Sequence, residues 1–329
     1  MSKTILVVGG AGYIGSHMVN TLIERGYTPI VFDSLVTGYR DAVSSNCSFI
    51  EGDLADSHQI ELAFQRYTFD AVMHFASFIQ VGESTKDPQK YYINNVSNTL
   101  NLLQVMLKRR VKYFIFSSSA AVYGTPLYTP IDEKHPQLPI NPYGRTKSMI
   151  ESVLKDYDEA YQLRSVSLRY FNAAGAHPDG VLGERHNPET HLIPLVLQVA
   201  AGKRKVIDVY GNDYPTPDGT CVRDYIHVND LCEAHLLALE FLWQNNRSEF
   251  FNLGNGHGYS VREVIEVAGK VTGKSITVNQ APRREGDPAV LVASSAKAMQ
   301  QLNWQPRYAS LETIVEHAWQ WERSRSIVL

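Results

Sequence analysis

Cysteine is scarce: Cys47, Cys221 and Cys232 are the whole complement of a 329-residue chain. An odd number without close pairing excludes a disulfide framework and the paired ligands of a structural zinc site. No metal is expected on that ground, and the reducing cytoplasm is the expected compartment. Long apolar runs are missing as well, since nothing approaches the roughly 20 residues that span a bilayer. The N-terminal apolar stretch from Ile5 to Val8 breaks at Gly9 and Gly10, too early for a secretory signal. Excess charge of one sign is also lacking: 31 Lys and Arg stand against 34 Asp and Glu, a formal net charge of -3. Neither nucleic acid nor an anionic membrane finds an electrostatic footprint there. Repeats and low-complexity tracts are absent. What remains is ordinary globular composition, 44% hydrophobic and 20% charged. The chain is more than twice the common domain size of roughly 100 to 150 residues, so one large domain or two interlocked ones is expected.

Short runs rich in Val, Ile and Phe recur at residues 4–8, 28–32, 71–75, 113–117 and 165–170. Their continuous hydrophobicity is that of parallel strands buried on both faces. Between them lie helical stripes, such as Ile14, Met18, Leu22 and Ile23, or Leu100, Leu103 and Leu107. Strand alternating with helix implies an α/β fold, a doubly wound parallel sheet of Rossmann type. After about Asn172 the texture changes to longer loops rich in Pro, Gly and Asn, which predicts a second, smaller interleaved α/β region. Residues 1–172 are read as one domain and 173–329 as the other. The buried-strand pattern at 250–253 suggests that the second half returns a strand to the first sheet. Ser260 with Glu263 predicts a capping box, and Gly273 the end of that helix.

The first strand runs into Gly9-Gly10-Ala11-Gly12-Tyr13-Ile14-Gly15, a G-x-x-G-x-x-G spacing. Glycines there let the backbone turn tightly and approach a pyrophosphate, whose charge faces the helix N-terminus. A plain Gly-rich turn is the alternative for the motif alone. Eighteen residues beyond Gly15, Asp33 ends the second strand, where a carboxylate can accept from the adenosine ribose hydroxyls and repel a 2′-phosphate. NAD is therefore expected rather than NADP. Asp53, after the strand that ends near Gly52, is a candidate for the adenine amino group.

Tyr143 and Lys147 are four apart and so share one helix face. A cation beside a phenol favours phenolate, which lets tyrosine act as a general base. Ser117-Ser118-Ser119 ends a predicted strand, at the edge of a parallel sheet where ligands sit. A strand-end hydroxyl, a Tyr-x-x-x-Lys helix and a dinucleotide loop together suit hydride transfer at a carbinol carbon.

With these features in place, the chain resembles the extended short-chain dehydrogenases/reductases, in particular the UDP-glucose 4-epimerase branch. The likeness spans nearly the whole sequence and rests on Val81-Gly82-Glu83-Ser84, Tyr91-Tyr92-Ile93-Asn94-Asn95-Val96, Arg169-Tyr170-Phe171-Asn172, Gly211-Asn212-Asp213-Tyr214-Pro215-Thr216, Gly219-Thr220-Cys221-Val222-Arg223-Asp224-Tyr225-Ile226-His227-Val228 and Ala281-Pro282-Arg283-Arg284-Glu285-Gly286-Asp287.

The resemblance implies reversible 4-epimerisation of UDP-glucose and UDP-galactose with tightly bound NAD by a cytoplasmic homodimer. It implies that Ser119 and Tyr143 flank the sugar 4-hydroxyl and that Lys147 holds the nicotinamide ribose. Gly9, Gly12, Tyr13, Ile14, Gly15, Asp33, Asp53, Leu54, Phe75, Asn94 and Tyr170 would line the cofactor. Asn172 would meet the sugar, Arg223 and Arg284 the diphosphate, Tyr210 the uracil and Asp287 a ribose hydroxyl. Leu291 stands where relatives carry either tyrosine, associated with exclusion of N-acetylated sugars, or a small residue, associated with their acceptance. Ile79 replaces a lysine found near the cofactor phosphates in well-known members, and His191 an asparagine that some point at the diphosphate; a satisfied core histidine is the plain alternative for His191. The nearest rivals are epimerisation of an N-acetylated, uronic-acid or pentose UDP-sugar and a 4,6-dehydratase. The dehydratase would need an acidic pair after the strand-end hydroxyl, where this chain has Ala120 and Ala121.

Overall fold

The computed structural model describes residues 2–284 and 287–325; Glu285 and Gly286 of the motif that ends at Asp287 lie outside the described residues. The strands in chain order are β1 (Thr4–Val8), β2 (Thr28–Asp33), β3 (Ser48–Glu51), β4 (Ala71–His74), β5 (Tyr113–Ser117), β6 (Arg164–Tyr170), β7 (Asn172–Ala174), β8 (Ile207–Tyr210), β9 (Val222–His227), β10 (Glu249–Leu253), β11 (Gly258–Ser260), β12 (Val278–Ala281) and β13 (Val290–Leu291). Seven of them build one parallel sheet in the order β10-β6-β5-β4-β1-β2-β3. The order reverses at β1, which makes the crevice between β1 and β4 a topological switch point.

Period-two geometry sorts the strand side chains onto two cores. Ile5 and Val7 join one apolar cluster while Leu6 and Val8 join the other; Ile115 likewise parts from Phe114 and Phe116. The first helices are α1 (Tyr13–Glu24), α2 (Ser57–Arg66), α3 (Val81–Lys86), α4 (Pro88–Tyr91), α5 (Asn98–Lys108), α6 (Pro142–Tyr161), α7 (Leu192–Ala200) and α8 (Val228–Asn245). Helix α1 sits in one core with Met18, Val19 and Leu22, together with Leu231, Leu236 and Leu239 of α8. Helices α2 and α5 cover the opposite face through Ile60, Leu102, Leu103 and Met106.

The observed strand boundaries at 4–8 and 113–117 coincide with the sequence pattern, α5 carries the Leu100, Leu103 and Leu107 stripe, and the other strands read from the sequence move by a residue. Strand β10, from the second half, pairs with β6 at the edge of the large sheet. Around the C-terminal ends of β5 and β6 the second region gathers: β7, β9, β11 and β13 form one small sheet and β8 with β12 another. Its own core packs α7 against α9 (Val261–Thr272) and, beyond the short α10 (Ala296–Leu302), α11 (Leu311–Ser324). Ser260 and Glu263 make both bonds of a capping box, and Gly273 ends α9 at φ +66°.

Candidate functional site

A cleft of ≈ 1560 Å³ opens where the two regions meet, at the C-terminal edge of the large sheet. Every residue proposed from the sequence for cofactor or substrate lines it except Lys147. On one side is the turn from β1 into α1. A Cβ on Gly15 would stand 2.1 Å from the Gly9 carbonyl oxygen, a contact no other residue survives. Gly12 caps α1 without a side-chain hydrogen bond, and no acidic side chain occupies the first turn, so its N–H groups have no carboxylate rival. That is the donor set a pyrophosphate requires.

Asp33, 7% exposed, accepts from the N–H groups of Ala11 and Leu35, each at 2.8 Å. Burial pushes its carboxyl up and these two donors pull it back. Each oxygen keeps a lone pair for a ribose hydroxyl. Phe75 follows β4, and Leu54 and Asp53 follow β3, so the floor is apolar with a polar far end. The fit to a dinucleotide is good on these grounds. Tyr13 adds a tie, its hydroxyl donating to the Gly175 carbonyl at 2.7 Å and so joining α1 to the second region. Ile79 is 39% exposed on the cleft wall and supplies no cation.

Helix α6 carries the central pair. Asn141 caps it by accepting from the Gly144 N–H at 2.8 Å, and Pro142 occupies its first turn. Tyr143 then faces the cleft at 9% exposure beside Ser119. Burial pushes the Tyr143 phenol up, and the Ser119 hydroxyl pulls it back. One turn further on, Lys147 is 4% exposed, with Nζ donating to the Ser117 carbonyl at 2.8 Å and lying 5.8 Å from the centroid of the Tyr143 ring. Burial brings its ammonium down to about 7. Of the three serines, Ser117 meets the Tyr170 hydroxyl at 2.7 Å and Ser118 donates to Glu151 at 2.6 Å. Ser119 is the one left facing the cleft.

Sequence reasoning missed Asn95. It sits in a π-helical turn, Tyr92–Ser97, the kind of distortion that gathers at functional sites. Its amide accepts from the Asn94 side chain and the Phe78 N–H, each at 2.9 Å, and donates to Thr146 of α6 at 3.2 Å. Asn94 and the Tyr143 helix are thereby held by one buried amide. The Asn94-Asn95 doublet carried that signal, read for its first member alone.

On the opposite wall Asn172 donates to the Asp224 carbonyl at 3.0 Å. Arg223 on β9 forms an ion pair with Asp287 and donates to its own residue's neighbour, the Val222 carbonyl, at 2.8 Å. Arg284 stacks over Tyr210, 3.9 Å from the ring centroid. Leu291 pairs with Arg223 in the small sheet and packs against the cluster of Ala120, Val122, Tyr123 and Ile131. His191 caps α7 and contacts Glu184, a buried carboxylate that also faces His186. Burial opposes ionisation of Glu184, but the two imidazoles outweigh it and hold the acid at about 2. Among the described residues no helix is long and apolar enough to cross a membrane, and all three cysteines are free and buried.

The sequence profile of the GDP-mannose 4,6 dehydratase family matches residues 6–317. A UDP-glucose 4-epimerase of Halalkalibacterium halodurans is 54% identical over 97% of this chain and 95% of its own. The crystal structure of a UDP-glucose 4-epimerase from Brucella ovis in complex with NAD is 50% identical and superposes with a TM-score of 0.94, covering 97% of this chain and 98% of that one. A counterpart from Bifidobacterium longum in complex with NAD+ and UDP is 40% identical with a TM-score of 0.93, over 98% and 99% of the two chains.

Proposed function

The chain belongs to the UDP-glucose 4-epimerases, and on that premise we infer that it interconverts UDP-glucose and UDP-galactose by transient oxidation at C4 with tightly held NAD. The observation that carries the assignment of roles is the meeting of Ser119, Tyr143 and the buried Lys147 at one end of a cleft whose other end is the Gly9-Gly12-Gly15 turn.

Tyr143 takes the proton of the sugar 4-hydroxyl as its phenolate, with the Ser119 hydroxyl assisting on the same oxygen. Burial opposes that state, and the Lys147 ammonium 5.8 Å from the ring centroid and the cationic nicotinamide of bound NAD would favour it. When bound, NAD supplies the hydride acceptor and donor for C4. Gly9, Gly12, Ile14 and Gly15 receive its pyrophosphate, Asp33 the adenosine ribose, Asp53 the adenine, and Lys147 the nicotinamide ribose; Tyr13, Leu54, Phe75, Asn94 and Tyr170 complete that wall. The resulting 4-keto sugar turns about its diphosphate link while Arg223, Arg284, Tyr210, Asp287 and His191 hold the UDP moiety and Asn172 the sugar. Tyr143 then returns the proton as C4 is reduced from the other face. Guanidinium forks suit the diphosphate, and the two terminal nitrogens of Arg223 engage the Val222 carbonyl and Asp287.

Water elimination in the manner of a 4,6-dehydratase is disfavoured because the short 3-10 turn after Ser119 offers Ala120 and Ala121 where an acid pair would act. Residues 1–172 serve as the NAD-binding domain and 173–329 as the UDP-sugar domain, with α8 and β10 crossing back. Three free buried thiols suit a reducing cytoplasm. The assembly proposed is the homodimer that the family resemblance implies. A coupled assay offering UDP-galactose, UDP-N-acetylglucosamine, UDP-glucuronate and UDP-xylose tests the substrate. The first is expected to turn over fastest, and preference for any other overturns the assignment.

A further inference from the structure

The segment between Gly183 and α7 reads Glu184-x-His186-x-x-Glu189-x-His191, a spacing outside the cysteine-based patterns that signal zinc. The fold draws all four side chains together, so that one donor atom from each lies within 4.8 Å of every other. Two carboxylates are buried here side by side, the side chains of Glu184 and Glu189 being 4% and 7% exposed. Like charges so placed require a compensating cation. The two imidazoles supply it as imidazolium: His191 contacts Glu184, and His186 Nδ1 stands 3.2 Å from Glu184 and 3.6 Å from Glu189, so a divalent ion bound at the same four donors would take the place of two protons. The His186 and His191 rings meet in a T-shaped contact, centroids 5.2 Å apart at 90°. The cage is held from outside by Trp321, which donates to the Glu184 carbonyl at 2.9 Å, and by Arg185, which turns away to Asp41 and the Tyr39 ring.

We propose that Glu184, His186, Glu189 and His191, the last through the Nδ1 that faces Glu184 so that Nε2 is left for the diphosphate, bind a first-row divalent cation of the zinc type in the wall of the cleft. Two imidazole nitrogens with two carboxylate oxygens suit Zn²⁺ or Co²⁺, whereas Mg²⁺ and Ca²⁺ select all-oxygen shells. The ion fastens residues 184–191, and with them the start of α7, against the α1 side of the cleft, where the Tyr13 ring meets His186 edge-on. Metal binding at these four side chains is independent of which sugar the cleft turns over.

Untagged full-length protein, stripped with a chelator and desalted, is titrated with Zn²⁺ by calorimetry and with Co²⁺ by visible absorption. One Zn²⁺ per chain is expected, with intense d–d bands from Co²⁺, a raised Tm with either ion and no response to Mg²⁺. Glu184→Gln and His186→Ala each weaken Zn²⁺ binding by at least about tenfold, while His257→Ala, at an exposed site elsewhere, binds as the parent does. Circular dichroism verifies folding, and Glu189→Gln serves if either variant fails to fold. Absence of stoichiometric binding, or binding unchanged in these variants, overturns the proposal and leaves the cluster as an ion-pair network.

Discussion

The carbonyl oxygen of Ala121 lies 2.4 Å from where a Cβ on Gly144 would stand. That close approach seats the first turn of α6 on the 3-10 turn after Ser119, and thereby sets Tyr143 beside the Ser119 hydroxyl. Gly144→Ala, which on an open helix would gain up to about 1 kcal/mol, is expected instead to push Tyr143 from Ser119 and to lower kcat by at least about tenfold, or about 1.4 kcal/mol of barrier. Bound dinucleotide should be retained. Steady-state kinetics with dinucleotide release on denaturation measures both, and an unchanged kcat refutes this role for the contact.

Tyr143→Phe leaves the ring in its buried seat and removes the proton route. Turnover should fall by about 10²- to 10⁴-fold, the usual worth of a general base, with Tm nearly unchanged. Near-native turnover would mean that the Tyr-x-x-x-Lys spacing is a coincidence.

Lys147 gives the pH dependence. Burial lowers its folded pKa from 10.5 to about 7, so between those values the unfolded chain binds more protons than the folded one. Stability therefore rises with pH across that window, and the penalty for the buried ammonium is constant below about 7. Measured against Lys147→Met, which cannot titrate, the native chain should gain stability steadily from pH 7 to pH 10 and show a flat difference from pH 7 to pH 5. Urea unfolding at each pH reads the difference. A flat line throughout contradicts the buried, depressed lysine.

The parallel sheet and both helices that frame the nucleotide were legible because burial on two faces leaves unbroken apolar runs, as in Ile5 to Val8, and because Gly9, Gly12 and Gly15 mark a backbone that must pass close to itself. The Ser119, Tyr143 and Lys147 group was legible from local spacing. What the sequence did not disclose depends on contacts distant along the chain. Asn95 reaches Thr146 across 51 positions, and Arg223 finds Asp287 across 64. The Glu184 to His191 cluster is local in sequence, but its meaning arises only when the backbone folds four donors inward. Cysteine arithmetic had no way to weigh it.

Sugar breadth turns on Leu291. It lines the cleft, pairs with Arg223 and packs on the Ala120 turn, so its bulk bears on the space near Ser119. Overpacking such a corner with a 2-acetamido group costs roughly 1 to 3 kcal/mol, about 5- to 150-fold. UDP-galactose should be preferred over UDP-N-acetylglucosamine, with the kcat/KM ratio narrowing in Leu291→Ser and widening in Leu291→Tyr. A ratio that stays constant across the three proteins shows that Leu291 only packs the core.

The most direct test follows the hydrogen on C4. UDP-galactose carrying deuterium at C4 is incubated with purified protein and no added dinucleotide, and the sugars are resolved by mass spectrometry and proton NMR. Transient oxidation within one closed cleft predicts a mixture of UDP-galactose and UDP-glucose with the deuterium still on C4 and no reduced dinucleotide accumulating in solution. Deuterium lost to water, or reduced dinucleotide building up in step with a released keto sugar, would contradict it.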